Sequence, residues 1–365
     1  MKYFIFIFIL LILKTLQKAD VYYTREITSS SIVKMFKKLN IHLKGRVGLK
    51  VHSGETGGKY FLTPDFLQEI YDYTNGTFIE CNAAYNGGRN TTERHKELLK
   101  DHGWYNKSRR TVIMDEDSTC DKNLSIDNPI IISENIVGEH IENFNSCIVL
   151  SHFKGNRKAG FGGALKQLSI GFASQAGKTW IHTAGNITEW QKMDDFLAND
   201  LNFTAAMGDA ASSIFKYFNE RGRIAFINVL ANISLFCDCE GRFAPEPRIH
   251  DMGVFASTDP VAIDRACLDM IIKHVDKGTK DLLEQIKNLS GTNILFSAEK
   301  HNIGSQEYNL IDVDEPEYEH LGLIIFISII FFVILVVGIL SYFCFRNNNK
   351  SKDKNISLIE TKKEE

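Results

Sequence analysis

The stretch SHFKGNRKAGFGGALK, Ser151–Lys166, sets His152, Lys154, Arg157, Lys158 and Lys166 among glycines with no acid to balance them. No Asp or Glu occurs between Asn143 and Thr188, so the segment should carry a positive potential. Gly160, Gly162 and Gly163 let backbone N–H groups approach a ligand closely, and a helix is predicted to open at that point. A glycine-lined helix start followed by a lysine is suited to an anion. The expected ligand is a small carboxylate or phosphate held by Lys154, the Gly160, Gly162 and Gly163 backbone and Lys166. The alternative is a solvated basic loop whose glycines only make a strand-to-helix turn. GFGGALK is not a nucleotide P-loop, because the G-x-x-x-x-G-K-[ST] spacing is missing.

Two histidines that end apolar runs, His52 and His152, are acid/base candidates, since imidazole exchanges protons near neutral pH. Lys166 joins them as a catalytic candidate and Asn82 as a ligand-binding one. Cys237, Asp238 and Cys239, with His182, are candidate ligands for a divalent metal. Two thiolates alone fall short of the three or four ligands a metal site needs. His182, beside Trp180, reads equally well as a core residue. A Cys237–Cys239 bond would close a strained ring, so these two should not be joined to each other. Six cysteines precede the last apolar run, which permits three disulfides in fifteen pairings. Cys147 and Cys267 sit in apolar contexts that suit small buried hydrophobes.

The elements that must position these residues alternate between short apolar strands and amphipathic helices. Strands are predicted at Gly45–Val51, Thr77–Cys81, Cys147–Leu150, Arg223–Leu230 and Gly253–Ser257. Helices are predicted at Pro64–Tyr73, Thr92–Gly103, from Gly162 onward, across most of Met193–Asn219 and at Asp259–Val275. In the last of these Asp259 is the N-cap and Pro260 follows it. This pattern implies an α/β fold with a mostly parallel sheet flanked by helices, in one body or two lobes. Ligands of such sheets bind beyond the carboxyl ends of the strands. Polar residues follow each strand here: His52–Glu55, Asn82, Ser151–Lys154, Cys237–Cys239 and Thr258–Asp259 should share one edge.

The ends of the chain are of another kind. Met1–Leu13 is one cation and an apolar run, and Ala19 precedes a cleavage point, so residues 1–19 read as a secretory signal peptide, with an uncleaved signal anchor as the alternative. Leu321–Phe345 is free of charge and long enough to span a bilayer. Cations follow it, which places the tail 346–365 in the cytosol and residues 20–320 outside it. The expectation is a single-pass type I membrane protein. Eight N-x-S/T sequons, at Asn75, Asn90, Asn106, Asn123, Asn186, Asn202, Asn232 and Asn288, agree with a lumenal or extracellular ectodomain. The net charge of -3 gives no electrostatic reason to expect nucleic acid.

The segment LSHFKGNRKAGFGGALKQLSIGFASQAGK resembles the central motif of the DUF362 family, also described as uncharacterised Fe–S centre proteins. LKVHSGETGGKYFLTPDF, IECNAAYNGGRNTTERHKELLKDHGW, NISLFCDCEG, DMGVFASTDPVAIDRACLDM and AEKHNIGSQEYNLI resemble the family in the same order, from Gly45 to Ile311. Many members carry a ferredoxin-like C-x-x-C-x-x-C-x-x-x-C insert. This chain has none, so the resemblance implies no 4Fe-4S cluster. The order of His152, the glycine turn, Lys166 and His182 is also remotely similar to the nickel-pincer lactate racemase family. There histidines serve proton or hydride chemistry and metal ligation, and a lysine binds cofactor or substrate. Together these readings imply an enzyme-like domain that binds a small anion at the strand ends. The alternative is a glycosylated binding protein that keeps the fold without turnover.

Overall fold

The computed structural model describes residues 18–116, 121–315, 326–339 and 341–342. The signal-peptide expectation falls almost wholly outside them. Twelve strands are seen among the described residues: β1 (Ala19–Thr24), β2 (Val47–Lys50), β3 (Thr77–Glu80), β4 (Thr111–Ile113), β5 (Asp121–Ser125), β6 (Glu134–Gly138), β7 (Ser146–His152), β8 (Lys154–Asn156), β9 (Gly160–Gly162), β10 (Ile224–Leu230), β11 (Gly253–Ser257) and β12 (Tyr308–Asp312). Eight of them form one sheet in the order β12-β1-β11-β10-β7-β2-β3-β4, while β5-β6 and β8-β9 are separate hairpins. The run β10-β7-β2-β3-β4 is parallel throughout. β11 runs antiparallel to both its neighbours, β10 and β1. A mostly parallel sheet is therefore present, and residues to Asp312 form one unit rather than two lobes.

The central strands β7 and β10 are buried at every position, as expected where helices cover both faces of a sheet. Side chains alternate between the two faces. Ile79, Cys147, Val149 and Phe226 join one large apolar core. α1 (Ser29–Lys38) and α2 (Gln68–Thr74) pack together near one face. α3 (Thr92–Asp101) follows β3, and the short α4 (Ala164–Lys166) runs on through a wider π turn at Gln167–Gly171. α5 (Gln175–His182), α6 (Asp200–Arg221), α7 (Pro260–Lys273), α8 (Lys277–Asn288) and α9 (Asn293–Lys300) complete the body. α9 packs against α4, α6 and α7, and α4 packs against α6 and α7.

The sequence reading located the central strands and the α7 cap. Asp259 Oδ1 accepts the Val261 and Ala262 N–H groups at 2.8 Å, and Pro260 stands at the first helical position. It failed at β11. Because this strand is antiparallel, Thr258 and Asp259 lie at the opposite edge from His52 and His152. No periodicity reveals strand direction, so the expectation of one shared edge could not have been tested from sequence. Among the described residues no helix is long and apolar enough to cross a membrane. Residues 326–339 are helical, and the rest of the expected span lies largely outside the described residues.

Candidate functional site

The strand order reverses direction between β2 and β7: the chain proceeds from β2 through β3 to β4 on one side and from β7 to β10 on the other. Crevices at such switch points, beyond the carboxyl ends of the strands, are where open α/β sheets bind ligands. His52 follows β2 and His152 ends β7, so the two histidines flank this crevice. A cavity of about 310 Å³ lies there. Of the residues expected to meet, His52, His152, Lys154, Gly162, Gly163, Lys166, His182, Cys237 and Cys239 line it, whereas Asn82, Gly160 and Asp238 are not among its walls.

The expected anion cradle is largely filled by the chain's own carboxylates. Lys154 Nζ pairs with Asp238, and His152 Nδ1 lies 3.0 Å from the same Oδ2. His152 Nε2 meets the Ala231 carbonyl at 2.6 Å, so both ring nitrogens are engaged within the protein. The helix start after the glycines is capped from α7: Asp264 accepts Ala164 N–H at 2.8 Å and Leu165 N–H at 3.0 Å. A Cβ on Gly163 would come within 2.3 Å of Asp264 Oδ1, so that glycine makes room for an internal carboxylate, not for a ligand. Gly160, at φ +78°, allows the β8-β9 hairpin to lie against the backbone of Ile286 and Gly291. Asn82 is structural as well: its side chain bonds Thr92, the Asp115 carbonyl and His95.

Lys166 differs from all of these. Its stem folds across Gly162, whose Cβ would lie 3.3 Å from the lysine Cδ. It lines the cavity, and no hydrogen bond or ion pair among the described residues holds its ammonium. Lys178 lines the same cavity and donates to the Ala173 carbonyl at 2.5 Å. Burial lowers the pKa of Lys178.

Beneath His52 lies a buried charge network that the sequence reading missed. Lys50, fully buried, donates to Glu80 Oε2 at 2.7 Å, and Arg89 Nη1 donates to Glu80 Oε1 at 2.7 Å. Arg89 Nη2 also reaches Tyr85 Oη at 2.7 Å and His52 Nε2 at 3.2 Å, and Tyr85 donates to Glu55 at 3.1 Å. Burial, then the Arg89 charge, lowers the His52 pKa and keeps its imidazole neutral at physiological pH. The only sequence signal for this network was a lysine inside an otherwise apolar strand, GLKV, next to a strand ending in a glutamate, FIEC.

The metal set expected at Cys237, Asp238, Cys239 and His182 is not assembled. Among the described residues no group of three or more His, Cys, Asp or Glu side chains is arranged to hold a metal ion. Asp238 is committed to Lys154 and His152, and His182 stacks on Phe203 at 4.4 Å between ring centroids. Burial, with three nearby lysines, pushes the His182 pKa down to about 3. Cys81, Cys147, Cys237, Cys239 and Cys267 are free thiols. The Cys239 thiol, through a hydrogen bond, and next the Lys166 charge hold the Cys237 thiol well below its ordinary range despite burial, while Cys239 is held well above it by the same hydrogen bond and by burial.

Comparison with known proteins gives a family and a distant structural likeness. The model of the family described as "Domain of unknown function (DUF362)" matches residues 47–269. No curated protein matches the chain. The lactate racemase apoprotein from Thermoanaerobacterium thermosaccharolyticum is similar at 11% identity with a TM-score of 0.36, over 60% of this chain and 51% of that one. A structural-genomics protein from Thermotoga maritima is similar at 12% identity with a TM-score of 0.37, over 74% of this chain and 58% of that one. The chain thus spans between half and three-fifths of the length of these two structures.

Proposed function

We propose the following function for the chain, which belongs to the DUF362 family: it binds a small carboxylate- or phosphate-bearing molecule in the crevice between β2 and β7, in an enzyme-like site. The observation that carries this reading is Lys166, a cation on the wall of a cavity of about 310 Å³ with no carboxylate paired to it among the described residues. Lys154, the other lysine of the expected cradle, is held by Asp238, and Lys158 adds a second positive charge to the same wall. An unopposed ammonium in a partly desolvated cavity favours an anion more strongly than a surface lysine does.

Lys166→Met tests it. A charge-assisted contact contributes about 1.5–3 kcal/mol, so the variant should bind inorganic phosphate or oxalate roughly tenfold or more weakly, read as lost thermal stabilisation by the anion. Its melting temperature without anion should stay close to that of the parent, because no internal partner loses a bond. Equal stabilisation of parent and variant by phosphate and oxalate would end the reading.

A second reading, a binding protein without turnover, is favoured by one observation: both nitrogens of His152 are engaged within the protein. On this view His152 holds Asp238 and Lys154 in place and performs no proton transfer.

The proposal includes a type I membrane setting, with residues 321–345 as the span and the body outside the cytosol. Two observations support it. The large apolar side chains of the helical residues 326–339, such as Phe326, Phe332 and Ile334 at 61%, 66% and 63% exposure, lack a protein covering. Seven of the eight sequon asparagines are exposed, and Asn90 is partly so, as glycan attachment requires. Endoglycosidase treatment of protein from its native cell should lower the apparent mass. An unchanged mass, together with a protease-protected tail in intact vesicles, would reverse the topology.

A further inference from the structure

We infer that the molecule bound in this crevice carries two anionic groups and is a short α,ω-dicarboxylate, with one carboxylate seated by Lys166 and the other by Lys178. The inference rests on the anion-binding reading for its first pole. The second pole stands on separate observations.

The first is the placement of the two lysines on opposite sides of the crevice. Lys166 belongs to α4, which packs on β7 and β10. Lys178 belongs to α5, whose start is tied to the loops after β3 and β4. There the Gln175 N–H donates to Asp115 Oδ2 at 2.9 Å, and Gln175 Nε2 donates to the Ala83 and Asn90 carbonyls at 2.6 and 2.8 Å. β10 and β3 stand three strand spacings apart in the sheet, roughly 14 Å. Lys178 Nζ donates to the Ala173 carbonyl at 2.5 Å, so its ammonium is anchored on its own side. The second is charge. Both lysines are half-buried on the cavity wall, and neither has an ion pair among the described residues. The Asp115 carboxylate spends its two oxygens on the Asn82 and Gln175 N–H groups. Arg89 and Lys154 line the same cavity but are held by Glu80 and Asp238. Asp194 is exposed on the wall, and Lys158, exposed on the β8-β9 turn, offsets it. The third is the apolar part of the wall, which Ala83, Ala84, Ile170, Met193 and Leu197 supply.

Two separated ammonium groups and an apolar wall select a ligand with charges at its ends and methylenes between them. Each carboxylate gains a charge-assisted bond to its lysine. The methylene chain leaves water for the apolar side chains. A hydroxyl-rich phosphate ester would bury its hydroxyls against those side chains without partners. A monocarboxylate would leave one ammonium partly desolvated with no counter-charge.

Calorimetric titration of the full-length protein with glutarate, butyrate and inorganic phosphate tests both poles. Glutarate should bind the parent roughly tenfold or more tightly than butyrate, the gain of one charge-assisted contact. Lys178→Met should abolish that preference, and Lys178→Arg, which keeps the charge, should retain it. The preference is a ratio within one protein, so a general loss of stability in a variant cancels from it. Along succinate, glutarate and adipate the affinity should peak at one chain length, because the fold fixes the two poles. A steady rise with chain length would reflect apolar burial alone and count against them. Phosphate binding that depends on Lys166, combined with equal glutarate and butyrate affinity in the parent, would overturn the dicarboxylate and leave the anion reading in place. A glutarate preference that survives Lys178→Met would overturn the second pole. Binding of none of the three would remove both readings.

Discussion

Glu80→Gln is expected to destabilise the protein by about 3–5 kcal/mol, because it strips the shared counter-charge from two buried cations. In the parent, Glu80 Oε2 accepts from Lys50 and from the Cys81 N–H, and Oε1 accepts from Arg89 and the Ser53 N–H. A glutamine keeps one acceptor oxygen but turns an NH₂ group toward a second cation. Arg89 retains Glu55 at 3.6 Å, whereas Lys50, at 0% exposure, is left with only the Val51 carbonyl. Urea unfolding at pH 7 measures the loss, and a change below about 1 kcal/mol would show that the lysine finds water or another partner. The pH dependence adds a sign. Lys50 and then Arg89 hold the Glu80 carboxyl well below the usual range against the opposing effect of burial. The group therefore contributes its stability above the unfolded value of about 4.3 and loses it as pH falls toward the folded one. The acid limb of the stability curve should be steeper in the parent than in Glu80→Gln.

The same network explains what the sequence did and did not disclose. The strands β2, β3, β7 and β10 were legible because each is a short apolar run bounded by polar residues, and the strand-end rule then brought His52, His152, Cys237 and Cys239 to one crevice. Charge balance was not legible. The absence of acids from Asn143 to Thr188 suggested an unopposed basic segment, yet Asp238 reaches Lys154 across 84 positions and Asp264 reaches Ala164 across 100. Lys50 looked like an ordinary strand residue, and only the parallel register of β2 on β3 sets it beside Glu80. Local sequence records hydrophobic periodicity and caps well. It does not record which distant carboxylate satisfies a given cation, because that depends on strand order and direction. Of the opening stretch's lysines on the cavity wall, Lys154 is held by Asp238, whereas Lys158 and Lys166 face the cavity without an ion pair among the described residues.

Asp264→Asn should locate the anion that the glycine turn was built to hold. The parent carboxylate is fully buried, takes the Ala164 and Leu165 N–H groups on separate oxygens, and takes Asn228 Nδ2 at 2.7 Å as well. An asparagine has one acceptor oxygen, so in either orientation its NH₂ group faces an N–H donor across a distance that cannot relax without moving α7 from α4. One unsatisfied backbone donor and one lost charge-assisted bond together cost about 2–4 kcal/mol. The carboxylic acid form is not equivalent to the amide, since its hydroxyl oxygen keeps a lone pair for the N–H. Burial pushes the Asp264 pKa up to about 6, the three donors opposing it. Here the linkage runs opposite to that of Glu80: the folded chain holds the proton more tightly than the unfolded one, so this group's contribution declines as pH rises from the ordinary carboxylate range of about 3.9 through the folded value. Asparagine does not titrate. The penalty of Asp264→Asn should accordingly be larger at pH 5 than at pH 8, measured by denaturant unfolding at both. A penalty that grows with pH instead would mean that the ionised carboxylate is the form the turn prefers, with the three donors outweighing burial. A variant as stable as the parent at both values would mean that the helix start is satisfied without Asp264, and the glycine turn would again be open to an external anion.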